Sequence, residues 1–127
     1  MPHFVIMGAG RVGVMLARTL EASGHTVAVI DQDERAFQPL RKGFEGQLVT
    51  GVGFDQETLK RAGITEAYAF AAVSSGDNSN IIAARVAREV FHVEHVVARI
   101  YDPTRAYLYE RLGIPTVASV QRTAESV

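Results

Sequence analysis

A glycine pattern near the amino terminus has the spacing of a phosphate-binding turn. The segment Gly8-Ala9-Gly10-Arg11-Val12-Gly13 matches G-x-G-x-x-G and lies between an apolar run and an amphipathic stretch. In such a turn the first glycine permits a tight bend, the second lets the backbone approach a phosphate, and the third lets helix and strand pack closely. The helix that follows would offer free N–H groups and a partial positive charge to an anion.

An acidic residue stands where such a fold binds a ribose. Asp31 follows Gly13 by 18 residues and ends the second predicted strand. A carboxylate there accepts hydrogen bonds from ribose hydroxyls and disfavours a 2′-phosphate. The alternative is a glycine-rich turn with a capping aspartate. The order of strand, glycines, helix, strand and acid favours a nucleotide site.

Two arginines could add positive charge to that site. Arg11 lies inside the glycine turn, either as an exposed first-turn residue or as a phosphate contact, and the two interpretations have equal weight. Arg99 interrupts an apolar run near the end of a predicted strand, where an unpaired charge is costly. Ligands of open α/β sheets bind at the carboxyl ends of the strands. We therefore expect Arg99 to face a ligand or a subunit interface rather than pair with Asp77 or Asp102.

Other polar residues divide into ligand contacts and caps. We expect Ser74 and Ser75, which follow the fourth strand, to contact the adenosine half of a ligand. We expect Asp77 or Asn78 to cap the next helix.

The pair His92 and His95 lies away from the crevice and is joined by no further His or Cys, so we expect no metal site. Neither a Ser-His-Asp set nor an acid–base carboxylate pair is recognisable.

Composition excludes several classes of protein. The chain has 127 residues, a formal net charge of −1 and no cysteine. Disulfides, thiolate metal sites and a cysteine nucleophile are therefore excluded, and bulk charge gives no case for nucleic acid binding. The chain begins without a signal peptide pattern, and no apolar run approaches the roughly 18 residues that span a bilayer. We expect a cytoplasmic protein that reaches the inner face of a membrane only through a partner.

The chain alternates short apolar runs with helical stretches. This pattern predicts an α/β fold, a Rossmann-like doubly wound parallel sheet of about six strands with helices on both faces. The fourth run is apolar throughout, as expected of a strand covered on both faces. The predicted strands are 4–7, 26–30, 47–50, 68–73, 95–100 and 116–120, and the predicted helices are 11–22, 33–42, 57–62, 78–91 and 103–112.

Two helices carry more apolar residues than one sheet face requires. The helix predicted over 78–91 is apolar over more than one stripe. On the helix that follows, we expect Leu108 and Leu112 to face the sheet, so that Tyr107 and Tyr109 add apolar area elsewhere. The excess favours a dimer over a compact monomer.

Taken together, these segments resemble the TrkA-type N-terminal domain, also called the KTN or RCK domain, of potassium channels and transporters. The matching stretches run in order over nearly the whole chain. They are 6–13, 29–33, 51–63, 71–80 and 97–114. The resemblance implies one nucleotide-binding domain over residues 1–127, without the family's C-terminal lobe, that binds NAD(H) or adenine nucleotides such as ATP and ADP. It also implies a homodimer or a larger ring, with a membrane potassium transporter or channel as partner.

The resemblance places the glycine turn at the phosphates, Asp31 at the ribose, Gly51 and Val52 near the adenine, and Arg99 at the ligand or the dimer contact. The family commonly has Asp after Gly51, so Val52 removes an expected hydrogen bond to the base. The full candidate set is Gly8, Ala9, Gly10, Arg11, Val12, Gly13, Asp31, Gln32, Gly51, Val52, Val73, Ser74, Ser75 and Arg99.

These observations predict a regulatory nucleotide sensor for potassium transport rather than an enzyme. The six strands and their helices use the whole length and leave no chain to hold a substrate beside a cofactor. Two alternatives stay open. One is the cofactor-binding fragment of an NAD-dependent oxidoreductase, and the other is a domain with an empty crevice that only mediates assembly.

Overall fold

Six parallel strands form the single sheet of the computed structural model, which describes residues 2–117. Their order across the sheet is β3-β2-β1-β4-β5-β6. The strands are β1 (His3–Met7), β2 (Thr26–Asp31), β3 (Gln47–Thr50), β4 (Ala69–Ala72), β5 (His95–Arg99) and β6 (Thr116–Val117). The predicted sixth strand extends to Val120, and its last three residues lie outside the described part of the chain, as do residues 121–127.

Helices connect these strands at the predicted places. They are α1 (Arg11–Ala22), α2 (Gln56–Arg61), α3 (Asp77–Arg85), which continues as a π-helical segment (Val86–Val90), and α4 (Pro103–Arg111). The helix predicted over 33–42 is a 3₁₀ helix (Glu34–Leu40), and a shorter one follows α2 (Ile64–Glu66). Pro39 lies inside the first of these, and because proline has no N–H it cannot continue an α-helical ladder.

The helices lie on both faces of the sheet, which confirms the predicted fold class. On one face, α1 and the first 3₁₀ helix bury Ala17, Phe37 and Leu40 against β1 and β2. On the other face, side chains of α2 and α3 such as Leu59 and Ile81 pack against all the central strands. The strand order reverses between β1 and β4, and the carboxyl ends of these two strands therefore border a crevice.

Two expectations about packing need correction. In the described part of the chain β4 is fully covered on one face only, because Phe70 and Ala72 are buried whereas Ala69 and Ala71 are half-buried beside α1. An apolar run shows that both faces are hydrophobic, but it does not show which helix covers each face.

The orientation of α4 also differs from the prediction. Leu108 and Leu112 are 53% and 74% exposed, whereas Ala106 and Tyr109 pack against the core. The rotation of the helix follows from its start, where Asp102 caps the first turn and Pro103 begins it. Asp77 accepts the backbone N–H of Asp102 at 3.0 Å and so fixes that start from outside the helix. The periodicity of the α4 sequence does not predict this contact, because Asp77 lies outside the helix.

Candidate functional site

The glycine turn lies at the carboxyl end of β1, against the end of β4. Gly8 has a φ of +115°, and a Cβ there would lie 2.7 Å from the backbone nitrogen of Ser74. Gly13 is equally restricted, since its Cβ would lie 1.8 Å from the carbonyl oxygen of Gly8. Gly10 is different, because a Cβ on it would meet no atom within 4 Å. Gly10 lines the crevice, so the space beside it is open to a ligand at the N-terminus of α1.

Asp31 holds the glycine turn in position. One of its carboxylate oxygens, Oδ2, accepts the backbone N–H of Ala9 at 2.8 Å, and Oδ1 accepts the N–H of Asp33 at 2.9 Å. The backbone carbonyl of Asp31 accepts the N–H of Gly51 at 3.0 Å. One residue therefore joins the loops that follow β1, β2 and β3. Each carboxylate oxygen can still accept a further hydrogen bond, which leaves room for a ribose hydroxyl.

On the opposite side of the crevice a buried amide joins the ends of β4 and β5. Asn80 is 0% exposed. Its Oδ1 accepts the backbone N–H of Ser74 at 2.9 Å and the hydroxyl of Ser74 at 2.7 Å. Its Nδ2 donates to the carbonyl of Ser74 at 2.9 Å and to the carbonyl of Arg99 at 2.7 Å. All four hydrogen bonds that a buried asparagine can make are therefore formed within the protein.

Asp77 extends this connection to the loop after β5. Its two oxygens accept the backbone N–H groups of Tyr101 at 2.7 Å and Asp102 at 3.0 Å. The expectation that Asp77 or Asn78 caps α3 is wrong, since Gly76 is the N-cap and no side chain caps it. The carboxylate of Asp77 is directed to a neighbouring loop, and Asn78 accepts Arg105 at 2.6 Å.

Arg99 lies over an aromatic ring rather than beside a carboxylate. Its guanidinium carbon is 4.4 Å from the centroid of the Tyr101 ring, a cation–π contact. Neither Asp77 nor Asp102 forms an ion pair with it, so both remain engaged in the loop contacts described above. This arrangement leaves the donors of Arg99 on the crevice side available to a ligand.

The crevice has a volume of about 670 Å³ and brings together most of the predicted residues. The predicted residues that line it are Gly8, Gly10, Arg11, Val12, Asp31, Gln32, Gly51, Val73, Ser74, Ser75 and Arg99. Three others do not. Ala9 and Gly13 are packed beneath the turn, and Val52 lines a separate shallow hollow beside the crevice.

Several other residues that line the crevice are not predicted from the sequence. They are Met7, Ile30, Ala36, Gly53, Phe54, Gly76, Ser79 and Tyr101. Phe54 and Tyr101 follow the ends of β3 and β5, so the rule that loops after parallel strands border the crevice could have found them. The contribution of Asn80 had no such signal, because only the folded chain brings it to the carbonyl of Arg99.

The charge of the crevice suits an anion. Asp31 is the only carboxylate among the described lining residues, against two guanidinium groups, Arg11 and Arg99. In the described part of the chain neither arginine has a carboxylate within ion-pair distance. Together with the N-terminus of α1, they provide three sources of positive potential around one crevice.

Residues 2–117 show neither a metal-binding cluster nor a membrane-spanning helix. The described residues contain no group of three or more His, Cys, Asp or Glu side chains arranged to hold a metal ion. Among the described helices, none combines the length and the hydrophobicity that crossing a membrane requires.

The chain is similar in sequence to potassium uptake proteins. The Trk system potassium uptake protein TrkA of Streptomyces coelicolor is 68% identical over 125 residues, which cover 98% of this chain and 56% of that protein. A TrkA homolog of Pyrococcus horikoshii is 36% identical over 108 residues, which cover 85% of this chain and 47% of that protein. The chain thus spans about half the length of the curated relatives that it matches.

Solved structures share the fold. The TrkA-N domain of inner membrane protein ybaL from Escherichia coli superposes with a TM-score of 0.84 at 21% identity, covering 98% of this chain and 92% of that one. The AMP-bound Kef C-terminal domain of Shewanella denitrificans gives 0.82 at 23%, covering 96% and 74%. The NAD-bound GsuK channel gives 0.76 at 21%, covering 91% and 21%.

A family model adds the decisive match. The model of the TrkA-N domain aligns with residues 4–120, which include every residue that lines the crevice. The chain therefore belongs to the TrkA-N domain family.

Proposed function

We propose that this chain is the nucleotide-binding regulatory domain of a potassium transport system, and that NAD(H) or an adenine nucleotide such as ATP or ADP occupies the crevice. The observation that carries the proposal is the open space at Gly10, between the N-terminus of α1, Asp31 and the two arginines. Similarity to TrkA potassium uptake proteins supports the transport role. The AMP-bound Kef domain and the NAD-bound GsuK channel support an adenine nucleotide or NAD(H) as the ligand.

In this proposal the glycine turn and Arg11 bind phosphates, and Asp31 binds ribose hydroxyls. Ser74 and Arg99 face the same ligand from the opposite side. A ligand of this kind would contact both sides of the crevice at once. It changes the state of the protein only by binding two conformations with unequal affinity.

The subunit partner is proposed to be a second copy of the chain, as a homodimer or part of a larger ring. The outer faces of α3, its π-helical extension and α4 expose apolar side chains that the described fold leaves uncovered. They are Ile82, Val90, Tyr107, Leu108 and Leu112. A membrane potassium transporter or channel subunit would respond to the geometry between the copies, from the cytosolic side.

The proposal assigns no chemical step to the crevice. Its described lining contains no histidine and no cysteine, and Asp31 already accepts two backbone hydrogen bonds. A general acid or base must be within hydrogen-bond reach of the reacting group. An oxidoreductase fragment would instead turn over NADH with some acceptor, and sustained NADH oxidation by the purified chain would favour that alternative.

Thermal unfolding with NAD⁺, NADH, ATP, ADP and AMP tests the ligand directly. A ligand that binds only the folded state, at about 100 times its dissociation constant, adds roughly 2.7 kcal/mol of stability. The matched variant is Gly10→Ala, which meets no protein atom and should leave the unliganded melting temperature unchanged while abolishing the shift. No shift of the wild-type chain with any of the five would contradict the sensor proposal and favour a role in assembly only.

Light scattering of the purified chain tests the homodimer. The double variant Leu108→Ser, Leu112→Ser should shift the mass toward the monomer, because both apolar side chains are exposed, Leu108 on α4 and Leu112 at its C-cap. Met15→Ser is the control, since Met15 is 62% exposed on α1, away from α4. A monomeric wild-type chain, or a dimer unaffected by the double variant, would contradict this interface.

A further inference from the structure

The base end of the crevice can be located from the residues already placed. In a site of this type the phosphates lie at the glycine turn and the ribose at the acid that ends β2. The base therefore lies beyond Asp31, on the side away from α1. Asp31 pairs with Thr50 across β2 and β3, and its carbonyl accepts the N–H of Gly51. The loop that begins at Gly51 consequently forms the wall of the crevice at this end.

Within that loop Phe54 reaches the crevice and Val52 does not. Phe54 is 37% exposed and lines both the crevice and the adjacent hollow, whereas Val52 lines only the hollow. The backbone carbonyl of Val52 accepts the N–H of Asp55 at 3.0 Å, which closes the turn between them. Gly53 allows this turn to lie close to β1, since a Cβ there would lie 2.1 Å from the Cγ of Met7.

The phenyl ring of Phe54 lines a crevice that also contains several other apolar residues. The apolar side chains in the described crevice lining include Met7, Ile30, Ala36 and Phe54, and Gln32 adds a polar side chain next to Asp31. Beyond Phe54, the hollow is bordered by Asp55 and Glu57, whose negative charge disfavours phosphates there. Phosphates are thereby directed toward the arginines, and the base toward the phenyl ring.

We infer that Phe54, and not the residue at position 52, is the base-binding residue of this chain, and that it holds the base by stacking. This inference rests on the proposed function. Because every base has a π face, stacking tolerates different bases, whereas hydrogen bonds to a base edge discriminate among them. The site is therefore selective for the phosphates and ribose of its ligand and permissive for the purine.

Isothermal titration of the full chain with ADP, GDP and inorganic pyrophosphate tests the inference. Wild-type affinities for ADP and GDP should agree within about threefold. Phe54→Ala should weaken both by roughly 10-fold, within the range measured for the loss of one base-stacking ring, and leave pyrophosphate affinity unchanged. Phe54→Trp should restore both. Because Phe54 is partly exposed, its truncation should leave the fold intact, as thermal unfolding would verify.

Val52→Ala is the matched control in the same loop, and it should change each affinity by less than about twofold. Equal losses in the two alanine variants, an unaltered Phe54→Ala affinity, or a preference for ADP over GDP above about 10-fold would each overturn the inference. None of these results would affect the proposed function. Binding of neither ADP nor GDP by the wild-type chain would overturn this inference, and the absence of a thermal shift with any of the five nucleotides would overturn the proposed function as well.

Discussion

The two sides of the crevice are built in different ways. The side formed by β1 and β2 depends on a short sequence motif, in which Gly8, Gly10 and Gly13 shape one turn and Asp31 secures it. The side formed by β4 and β5 depends on side chains of α3 that reach loops about 20 residues away. Asn80 and Asp77 belong to no recognisable motif, yet they set the positions of Ser74, Arg99 and Tyr101.

This difference shows what each side requires of the chain. On the first side the constraint lies in the backbone, since Gly8 has a positive φ and Gly13 approaches Gly8 too closely for a side chain. On the second side the constraint is the pairing of buried polar groups, which several residues could supply in principle and one supplies here. Substitutions should therefore fail for steric reasons on the first side and for reasons of hydrogen bonding on the second.

Gly8→Ala should give the largest effect. The alanine would need a φ near +115° and would bring its Cβ within 2.8 Å of two backbone atoms of Ser74. Strain and overpacking together should lower the free energy of unfolding by about 4 kcal/mol. Urea denaturation followed by circular dichroism measures this loss. Gly10→Ala is the control on the same turn, and a similar loss there would show that the turn tolerates no side chain anywhere.

Asn80→Ala should give the next largest effect, on the other side of the crevice. It removes the side-chain partners of the N–H and carbonyl of Ser74 and of the carbonyl of Arg99, all in part-buried hydrogen bonds. The expected loss is about 3 kcal/mol in urea denaturation. ADP affinity should also fall, because Arg99 loses the contact that positions its backbone.

His3→Ala separates these two consequences. The ring of His3 lies at the amino-terminal end of β1, with Nδ1 2.7 Å from the hydroxyl of Thr26 and Nε2 2.8 Å from the carbonyl of Ala62. Its removal should destabilise the fold and leave ADP affinity unaltered. If both variants weaken ADP binding equally, Asn80 acts through global stability, and the second side of the crevice has no role of its own.

The features that the sequence predicts lie mainly on the first side of the crevice. The glycine turn and the acid after β2 depend on residues close in the chain, and their spacing predicts both the fold and the places of Gly8, Gly10 and Asp31 at the crevice. The bounds predicted for α1 and β3 are those of the structure. These elements have period, cap and stop signals within their own residues.

The features that the sequence does not predict depend on contacts between distant segments. The predicted capping role of Asp77 is wrong, because a sequence shows the position of an acid at a helix start but not the loop opposite it. The outward face of Leu108 and Leu112 has the same cause, since the start of α4 is fixed by Asp77. The resemblance implies position 52 near the adenine, and no motif in the sequence indicates that Phe54 lines the crevice.

Asp31→Ala tests the residue that combines local and distant contacts. It removes the acceptors of the Ala9 and Asp33 N–H groups and the proposed contact to ribose. Hydrogen bonds to a charged group contribute about 1.5–3 kcal/mol, so ADP affinity should fall roughly 10-fold or more. Isothermal titration measures the loss. Pyrophosphate affinity should fall less, and equal losses for the two probes would assign Asp31 to the turn alone rather than to the ribose.

The smallest effect is expected at Asp33, whose contacts are local. It caps the first 3₁₀ helix and pairs with Arg35, and hydrogen bonds from that arginine lower the pKa of the Asp33 carboxyl. A carboxyl whose pKa is lowered by folding stabilises the protein at pH values above its unfolded pKa, about 3.9, and this stabilisation disappears as the pH falls through the folded pKa.

Asp33→Asn should therefore lower the melting temperature slightly at neutral pH, and the difference from wild type should vanish under acid conditions. Both side chains are exposed, so solvent and salt screen the pair. ADP affinity should not change, because Asp33 does not line the crevice. A loss of affinity as large as that of Asp31→Ala would mean that the first side of the crevice extends beyond its motif. The contrast between a local side and a long-range side would then no longer hold.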